Sequence, residues 1–440
     1  MPKDVVANGP KLNSIGAKAM SMGGAYVGLA DDFSAIFWNP AGLTNLSGQS
    51  FSFFGAAAFP SGTYELDVYS PHQGSFNLVD AKTRSGQLNF SGLISYFRSI
   101  NDRIVVGVGV YSPANNRTQW EGSDFINFSP HATASNKWMS RISLIRIAPG
   151  VSYKVNDKLS IGAAFEINHG VFDIAMHSGR YLAPIPEPPY FEDIDLGQYE
   201  LNKSGWGLGL TVGVLFRACD FLSIGAVFRS PSSMKLKGKA TVTGVPRLGD
   251  VLHLDLMQTD EARTEMTWPM WLATGISITP IKNLTLTADF QWIRWSTVQS
   301  INIDYSDNFW QYLMDRKYKS EITMNWENVL QIRTGAEWKI GDLSLRGGFY
   351  IDPSPVPEST LDIFFPGFNS KVITLGMGFK TKNLHVDFGV EYSFREKRSV
   401  EPQIQLVWPP HEFDSGWQFP LPGTYSMTTF TPSFSLRYAF

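Results

Sequence analysis

The sequence predicts an all-β protein: an antiparallel transmembrane β-barrel of about fourteen strands, plugged by an N-terminal hatch. Three observations lead to this fold class. Strand-like runs are joined alternately by very short and by long links. Within the runs, apolar and polar residues alternate. The first part of the chain is rich in Gly, Ala and Met and lacks any period, so it is best explained as filling a space that the rest encloses.

The composition is consistent with this fold class. Among 440 residues, 18% are charged, 14% are aromatic and 39 are Gly, which suits tight turns and an apolar outer surface. The net charge of −3 gives no electrostatic case for binding nucleic acid. The single cysteine, Cys219, excludes an intramolecular disulfide, a zinc cluster and a redox pair. No stretch approaches the ~20 apolar residues of a membrane-spanning helix.

The N-terminus lacks the apolar segment of a signal peptide, which an exported barrel requires. We therefore expect that the numbering starts from a processed or trimmed form.

The links between the strand-like runs alternate in length from Gly48 onward. The short links carry Asn, Asp or Gly, which tolerate tight turns. They are Arg98–Asp102, Lys154–Lys158, Arg217–Asp220, Thr279–Asn283, Lys339–Asp342 and Lys380–Asn383. The long links are 60–85, 113–138, 173–203, 231–264, 296–327, 352–370 and 395–426. Short turns at one end and long loops at the other are typical of an up-and-down outer-membrane barrel, whereas a sandwich mixes its loop lengths.

The strand-like runs are two-faced. In 383–394 the apolar face is Leu384, Val386, Phe388, Val390, Tyr392 and Phe394, and the other face is His385, Asp387, Gly389, Glu391 and Ser393. Runs 283–292 and 329–338 follow the same pattern. A soluble sheet would turn the charged face outward, and a membrane barrel would turn it to the lumen. The period alone does not distinguish the two.

The end of the chain favours the membrane barrel. Phe434, Leu436, Tyr438 and Phe440 share one face, and a closing strand with a terminal Phe resembles the assembly signal of bacterial outer-membrane barrels. Because any antiparallel sheet can also end in an amphipathic strand, the terminal strand favours the membrane barrel only in combination with the loop pattern. We expect a monomer in the outer membrane of a Gram-negative bacterium, inserted by the barrel-assembly machinery through Phe440.

A barrel of this size leaves an interior that its own side chains do not fill. We therefore predict two parts: residues 1–46 as the hatch inside the barrel, and residues 47–440 as the barrel with long extracellular loops.

Particular motifs carry a family resemblance across essentially the whole chain. The motifs are Gly16–Ala25, Ala30–Asp32, Asn39–Leu43, Asp289–Ser296 and Arg346–Tyr350 followed by Pro353–Pro357. In this order they resemble the FadL family of outer-membrane transporters of hydrophobic compounds, which includes long-chain fatty-acid and toluene-type channels. The resemblance identifies Asn39, Pro40 and Ala41 as the hatch motif.

The resemblance implies passive transport without a cofactor. A hydrophobic ligand would bind apolar extracellular loops, pass to a pocket in the barrel, and leave sideways through a gap at a kink in the third strand after the hatch shifts. Lipopolysaccharide and outer-membrane lipid would surround the barrel. The ligand's identity stays open between fatty acid, alkane, arene and terpenoid.

The lateral gate is assigned to Gly107, Gly109 and Pro113, near the end of the third strand. Glycine in a strand permits a kink, and proline cannot donate to a ladder. The alternative is that the small residues let the hatch pack closely on the wall.

The resemblance implies that the ligand contacts apolar residues of the hatch, and two inward-facing cations are assigned to the same pocket. These residues are Met20, Met22, Phe33, Ile36, Phe37, Arg333 and Arg346. A buried Arg can bind the carboxylate of a fatty acid, and an alkane or arene needs none. The alternative for these arginines is pairing with lumen carboxylates to hold the hatch.

Two other functions compete with transport of hydrophobic molecules. A barrel hydrolase of lipase or esterase type would need a nucleophile, but the chain has no Gly-x-Ser-x-Gly, no His-Glu-x-x-His and no His pair at metal spacing. A catalytic triad assembled from residues of different strands stays open as an alternative. A plugged porin for polar solutes is the second rival, and a lumen filled by the hatch argues against it. The sequence therefore predicts neither an enzyme nor a metal site.

Overall fold

A computed structural model describes residues 14–70, 74–83, 88–128, 131–316, 320–401 and 421–440. The predicted residues 1–13 of the hatch and 402–420 of the last long link lie outside them. Fourteen antiparallel strands form a closed barrel, which confirms the predicted fold class. In chain order they are β1 Gln49–Ser70, β2 Asn89–Ser99, β3 Ile104–Trp120, β4 Trp138–Lys154, β5 Leu159–His177, β6 Gln198–Cys219, β7 Leu222–Arg229 with Ser232–Val242, β8 Thr259–Trp268 with Trp271–Ile281, β9 Leu284–Ile293, β10 Val329–Ile340, β11 Leu343–Asp352, β12 Ser370–Lys380, β13 Leu384–Arg395 and β14 Gly423–Ala439.

The barrel closes by pairing its last strand with its first. Ser50 of β1 is opposite Ala439 of β14. The backbone N–H of Phe440 donates to the carbonyl of Gln49 at 2.9 Å. All other wall strands pair with their neighbours in sequence, so the barrel is up-and-down.

The short links all lie at the end of the barrel that carries Gln49 and Phe440. At the other end several strands run further than the sequence predicts. β1 reaches Ser70, β3 reaches Trp120 and β5 reaches His177, each well inside a predicted long link. At this end the strands stay hydrogen-bonded to their neighbours beyond the part of the wall that has an apolar outer face. The alternation of apolar and polar residues does not predict this extension.

Side-chain burial shows that the apolar faces point outward. In β13, Phe388 is 52% exposed, whereas Asp387 and Glu391 are 9% and 6% exposed. In β10, Leu330 and Ile332 are likewise exposed outside, and Arg333 is fully buried inside. An apolar exterior around a polar interior is the membrane-barrel arrangement. Within the described ranges, no helix is both long and apolar enough to cross a membrane.

Helices are short and lie inside the barrel or among the long links. α1 is Ala17–Ser21, α2 is Ala35–Trp38, α3 is Val245–Leu252 and α4 is Asn308–Arg316. A small hairpin of Arg180–Pro184 and Phe191–Asp195 rises from the link between β5 and β6. Apolar side chains are exposed on these long links, namely Leu182, Tyr190, Phe191, Leu254 and Met257.

Candidate functional site

Residues 14–46 lie in the lumen and bond to the inner wall on many sides. The backbone N–H of Ala17 donates to Ser435 of β14, and that of Gly23 donates to Thr374 of β12. The N–H groups of Tyr26 and Val27 share one carboxylate oxygen of Asp289 on β9, at 2.8 and 2.9 Å. The segment satisfies its backbone partly through short turns of its own and partly through the wall, which explains why its sequence has no single period.

The wall approaches this segment through glycines. A Cβ on Gly162, Gly213 or Gly225 would overlap the backbone or side chain of hatch residues 27, 39 and 40. The inward positions of β5, β6 and β7 therefore leave room for main chain rather than for side chains.

The Asn39-Pro40-Ala41 motif joins two turns of the segment to the wall. The Asn39 amide donates to the carbonyls of Val27 and Val214, both at 3.0 Å. Its side-chain oxygen accepts from the N–H of Ala41 at 3.1 Å and caps the 3₁₀ helix Pro40–Asn45. Asn39 is fully buried, so each of these groups depends on the side-chain amide.

A small cavity lies in the lumen between this segment and the strands β3, β7, β8 and β9. Its volume is about 20 Å³, room for about one water molecule. Half of its lining residues are aromatic, and the full lining is Phe37, Trp38, Pro113, Arg229, Trp268, Pro269, Trp271, Gln291, Ile293 and Trp295. Phe37 is the one predicted pocket residue in this lining.

Arg229 is the cation of this cavity. Its guanidinium lies 4.7 Å from the ring centre of Phe37 and 4.6 Å from that of Trp271. It donates to the carbonyl of Phe37 at 2.6 Å, so it also holds the segment in place. Cation–π contacts are strongest where water is excluded, as here.

Arg229 belongs to a buried cluster with an excess positive charge. Glu166 Oε1 accepts from Arg146 at 2.9 Å and from Arg229 at 3.1 Å. Among the described residues no second carboxylate lies within ion-pair distance of either arginine. Arg146 is 1% exposed, and neither its Nη2 nor the Oε2 of Glu166 has a hydrogen-bond partner among those residues. Buried charges need partners, so this cluster is suited to receive one further anionic group.

The sequence did not single out this cluster, because its members come from β4, β5 and β7 and meet only across the wall. The available signal was a charged residue at an inward position of an apolar strand, as in Ile145-Arg146-Ile147.

Of the two arginines that the sequence did single out, Arg346 pairs with two carboxylates, whereas Arg333 has polar contacts but no ion pair among the described residues. Arg333 donates to the carbonyl of Gly23 at 2.9 Å and lies 4.1 Å from the ring centre of Tyr350. Arg346 pairs with Glu337 at 2.7 Å and with Asp387 at 2.6 Å. Both arginines lie outside the cavity lining, and their contacts join the segment to the wall and the strands to one another.

The remaining predicted pocket residues are buried in packing contacts. Met20, Met22, Phe33 and Ile36 are each at most 3% exposed and lie outside the cavity lining. Their role in ligand binding stays a prediction.

The wall is interrupted between β2 and β3. Their ladder runs from Ser99 opposite Val105 to Leu93 opposite Tyr111 and ends there. In the described residues, β3 next pairs on that side only through the bridge from Trp120 to Thr83.

Side-chain contacts span the interruption. Ser91 Oγ donates to the carbonyl of Ser112 at 3.3 Å, and the Asn115 amide donates to the carbonyl of Phe90 at 2.7 Å. Pro113 lies within this interruption and also lines the lumen cavity. Gly107 and Gly109 lie lower, in the paired part of the ladder, and Gly109 faces Ile36 of the hatch.

The link between β11 and β12 packs over the other end of the lumen. Trp120 donates from its indole N–H to the carbonyl of Ile363 at 2.9 Å, and Ser140 donates to the carbonyl of Phe364. Asp362 accepts the backbone N–H groups of Phe364 and Phe365, and burial raises the pKa of its carboxyl to about 7. This link therefore covers that end of the lumen.

The described residues contain no group of three or more His, Cys, Asp or Glu side chains placed to hold a metal ion.

The fold and its interior define a class of protein: an outer-membrane β-barrel with an occupied lumen, a small aromatic cavity and a break in its wall.

The chain belongs to the family described as outer membrane protein transport protein (OMPP1/FadL/TodX), whose model matches residues 3–440. It is therefore a member of a family of outer-membrane transporters of hydrophobic compounds, and the family resemblance is confirmed. This membership and the barrel fold imply the outer membrane of a Gram-negative bacterium.

Individual relatives are distant in sequence. A putative outer membrane protein of Neisseria meningitidis serogroup B, NMB0088, is 24% identical over 398 residues, which is 87% of this chain and 84% of that protein. A Pseudomonas aeruginosa FadL homologue superposes with a TM-score of 0.76 at 18% identity, over 99% of this chain and 100% of that one. The Ralstonia pickettii toluene transporter TbuX gives 0.68 at 17% identity, over 97% and 99%. These structures support the fold.

Proposed function

We propose that this protein carries hydrophobic molecules with a terminal carboxylate, such as long-chain fatty acids, passively across the outer membrane. The observation that carries the proposal is the Arg146–Glu166–Arg229 cluster beside an aromatic cavity. A hydrocarbon, such as the toluene carried by the named transporters, would give that excess charge no partner. A carboxylate would accept a charge-assisted hydrogen bond from it.

The route begins at the exposed apolar side chains of the long links and ends at the interruption between β2 and β3. Exposed apolar patches invite apolar ligands. Pro113 borders both the cavity and the interruption, so a molecule in the cavity has a short path to the lipid phase. Lateral exit suits this route because lipopolysaccharide resists entry of apolar molecules from outside.

The hatch has to move for a ligand to fit, since the closed cavity holds about one water molecule. The hydrogen bond from Arg229 to the carbonyl of Phe37 offers a trigger. An arriving carboxylate competes for the guanidinium as the stronger acceptor, and Phe37 is then released. Binding energy of the ligand thereby displaces the segment without an external energy source.

Two further expectations accompany this proposal. Phe440 is 58% exposed beside the closing strand pair, which supports its role as the signal read by the barrel-assembly machinery. The filled lumen supports transport of hydrophobic molecules rather than an open porin.

Deleting Asn39–Ala41 is expected to leave a folded barrel with impaired fatty-acid uptake. The wall strands pair without these residues, whereas the hatch loses its bonds to Val27 and Val214. Uptake of a labelled fatty acid by producing cells measures the effect, and heat-modifiable gel mobility measures folding.

Asn39→Asp is the matched variant, since it keeps the acceptor for Ala41 and loses both donated bonds. We expect it to be impaired as well. Wild-type uptake by the deletion would remove the hatch from the mechanism, and large steady conductance of the unaltered protein in planar bilayers would favour a porin.

A further inference from the structure

A large concavity lies on the outside of the barrel, not in the lumen. It has a volume of about 770 Å³ and an apolar lining drawn from β4 to β10. We assign the transported ligand to the lumen because the cavity there is lined by Arg229 and by Pro113 at the interruption in the wall. The outer groove requires a separate explanation.

The groove follows the hydrogen-bond register of the sheet. One cross-strand row of outward residues runs along it: Val151, Ala163, Val212, Phe228, Leu272 and Trp292. A second row lies beside it, two residues away along each strand, and includes Ala226 and Thr274. The small side chains of Ala163, Ala226 and Thr274 lie within these rows, while Tyr153 and Trp292 stand towards the two ends of the groove.

The inner face of the same patch holds the hatch. Between the two outward rows, an inward row runs through Ser152, Gly162, Gly213 and Gln291. Ser152 donates to the carbonyl of Ala41 at 3.0 Å, and Gln291 donates to that of Gly24 at 3.2 Å. The wall is thus one sheet thick here, with small residues on both faces.

The position of the groove selects its occupant. It lies within about ten residues of the short turns, the strand length that crosses the hydrocarbon core. Its lining includes exposed apolar residues such as Ile161 and Phe290, so it is part of the lipid-facing band. The ladders beneath it are continuous from β5 through β8, which separates it from the lumen cavity.

We propose that this groove is a binding site for one acyl chain of a membrane phospholipid. The chain packs on the outside of the wall patch to which the hatch bonds on the inside. A groove keeps more contacts with a hydrocarbon chain than the convex remainder of the barrel, so this chain exchanges more slowly than its neighbours.

Photocrosslinking tests the site directly. The full chain is placed in nanodiscs of phosphatidylethanolamine whose acyl chain carries a diazirine, irradiated, and mapped by peptide mass spectrometry. Adducts are expected several-fold more often on 161–163, 212–214, 226–228 and 272–274 than on the lipid-facing residues of β11–β13. An even distribution around the barrel would overturn the proposal.

A substitution whose side chain fills the groove provides the second test. Ala226→Trp is expected to lower adducts in the groove several-fold. Leu375→Trp, at a lipid-facing position of β12, should leave them unchanged. Unaltered groove adducts in a folded Ala226→Trp barrel would contradict the assignment. If that variant does not fold, the distribution on the unaltered chain decides the matter by itself.

Discussion

Arg229→Gln is expected to lower uptake of a long-chain fatty acid by about tenfold or more, because a hydrogen bond to a charged group contributes about 1.5–3 kcal/mol. Without Arg229 the cluster is neutral, since Arg146 and Glu166 remain as a pair. The glutamine amide can still donate to the carbonyl of Phe37, so the closed hatch is largely retained. Uptake of a hydrocarbon of matched length should change little.

The comparison of acid with hydrocarbon separates a lost carboxylate contact from a damaged barrel. Arg141→Gln is the control, because Arg141 also pairs with one carboxylate, that of Asp173, but lies outside the cavity lining. We expect fatty-acid uptake by this control close to that of the unaltered protein. Equal losses for acid and hydrocarbon in Arg229→Gln would show that the cluster does not bind the carboxylate.

A disulfide across the interrupted wall is expected to abolish uptake of both kinds of molecule. In a Cys219→Ser background, Ser91→Cys with Ser112→Cys joins β2 to β3, where Ser91 already contacts the Ser112 carbonyl at 3.3 Å. The bond holds the two strands together and closes the exit. Uptake is measured in oxidised cells and again after reduction, which should restore it.

A second disulfide is the control for the effects of oxidation and of a cross-link in the wall. Ser393→Cys with Thr429→Cys links directly opposed residues of β13 and β14, where the ladder is continuous. Its oxidation should leave uptake unchanged. If the oxidised β2–β3 variant, with its disulfide confirmed by mass, transports normally, the molecules leave by another route.

The fold was predictable because its signals are local. Alternation within β13 follows from successive residues, and the rhythm of short and long links follows from turn chemistry such as that of Lys154–Lys158. The strand extents were less predictable. Residues 113–120 carry no lipid-facing stripe, yet they pair with β4 across a long ladder, because pairing depends on the neighbouring strand as well.

The candidate site was only partly predictable. Sequence alternation places Arg333 and Arg346 inside the barrel, where the structure has them. It does not reveal their partners, which are the carbonyl of Gly23 for Arg333 and the carboxylates of Glu337 and Asp387 for Arg346. It likewise does not reveal that Arg146 and Arg229 share one carboxylate from a third strand. Such partnerships depend on cross-strand register, which a single sequence does not specify.

The wall interruption was likewise only partly predictable from the sequence. The glycines of β3 and Pro113 are visible in the sequence, whereas the point at which pairing ends is set by the register between β2 and β3. That ladder ends at Tyr111, above Gly107 and Gly109 and just before Pro113.

Uptake of a labelled long-chain fatty acid by cells that lack their own carrier tests the central claim most directly. Cells producing the chain should take up the fatty acid well above cells with an empty vector, and should not take up a polar solute of similar size. Fatty-acid uptake no greater than in empty-vector cells, with the folded barrel present in the outer membrane, would contradict transport of hydrophobic acids through this lumen.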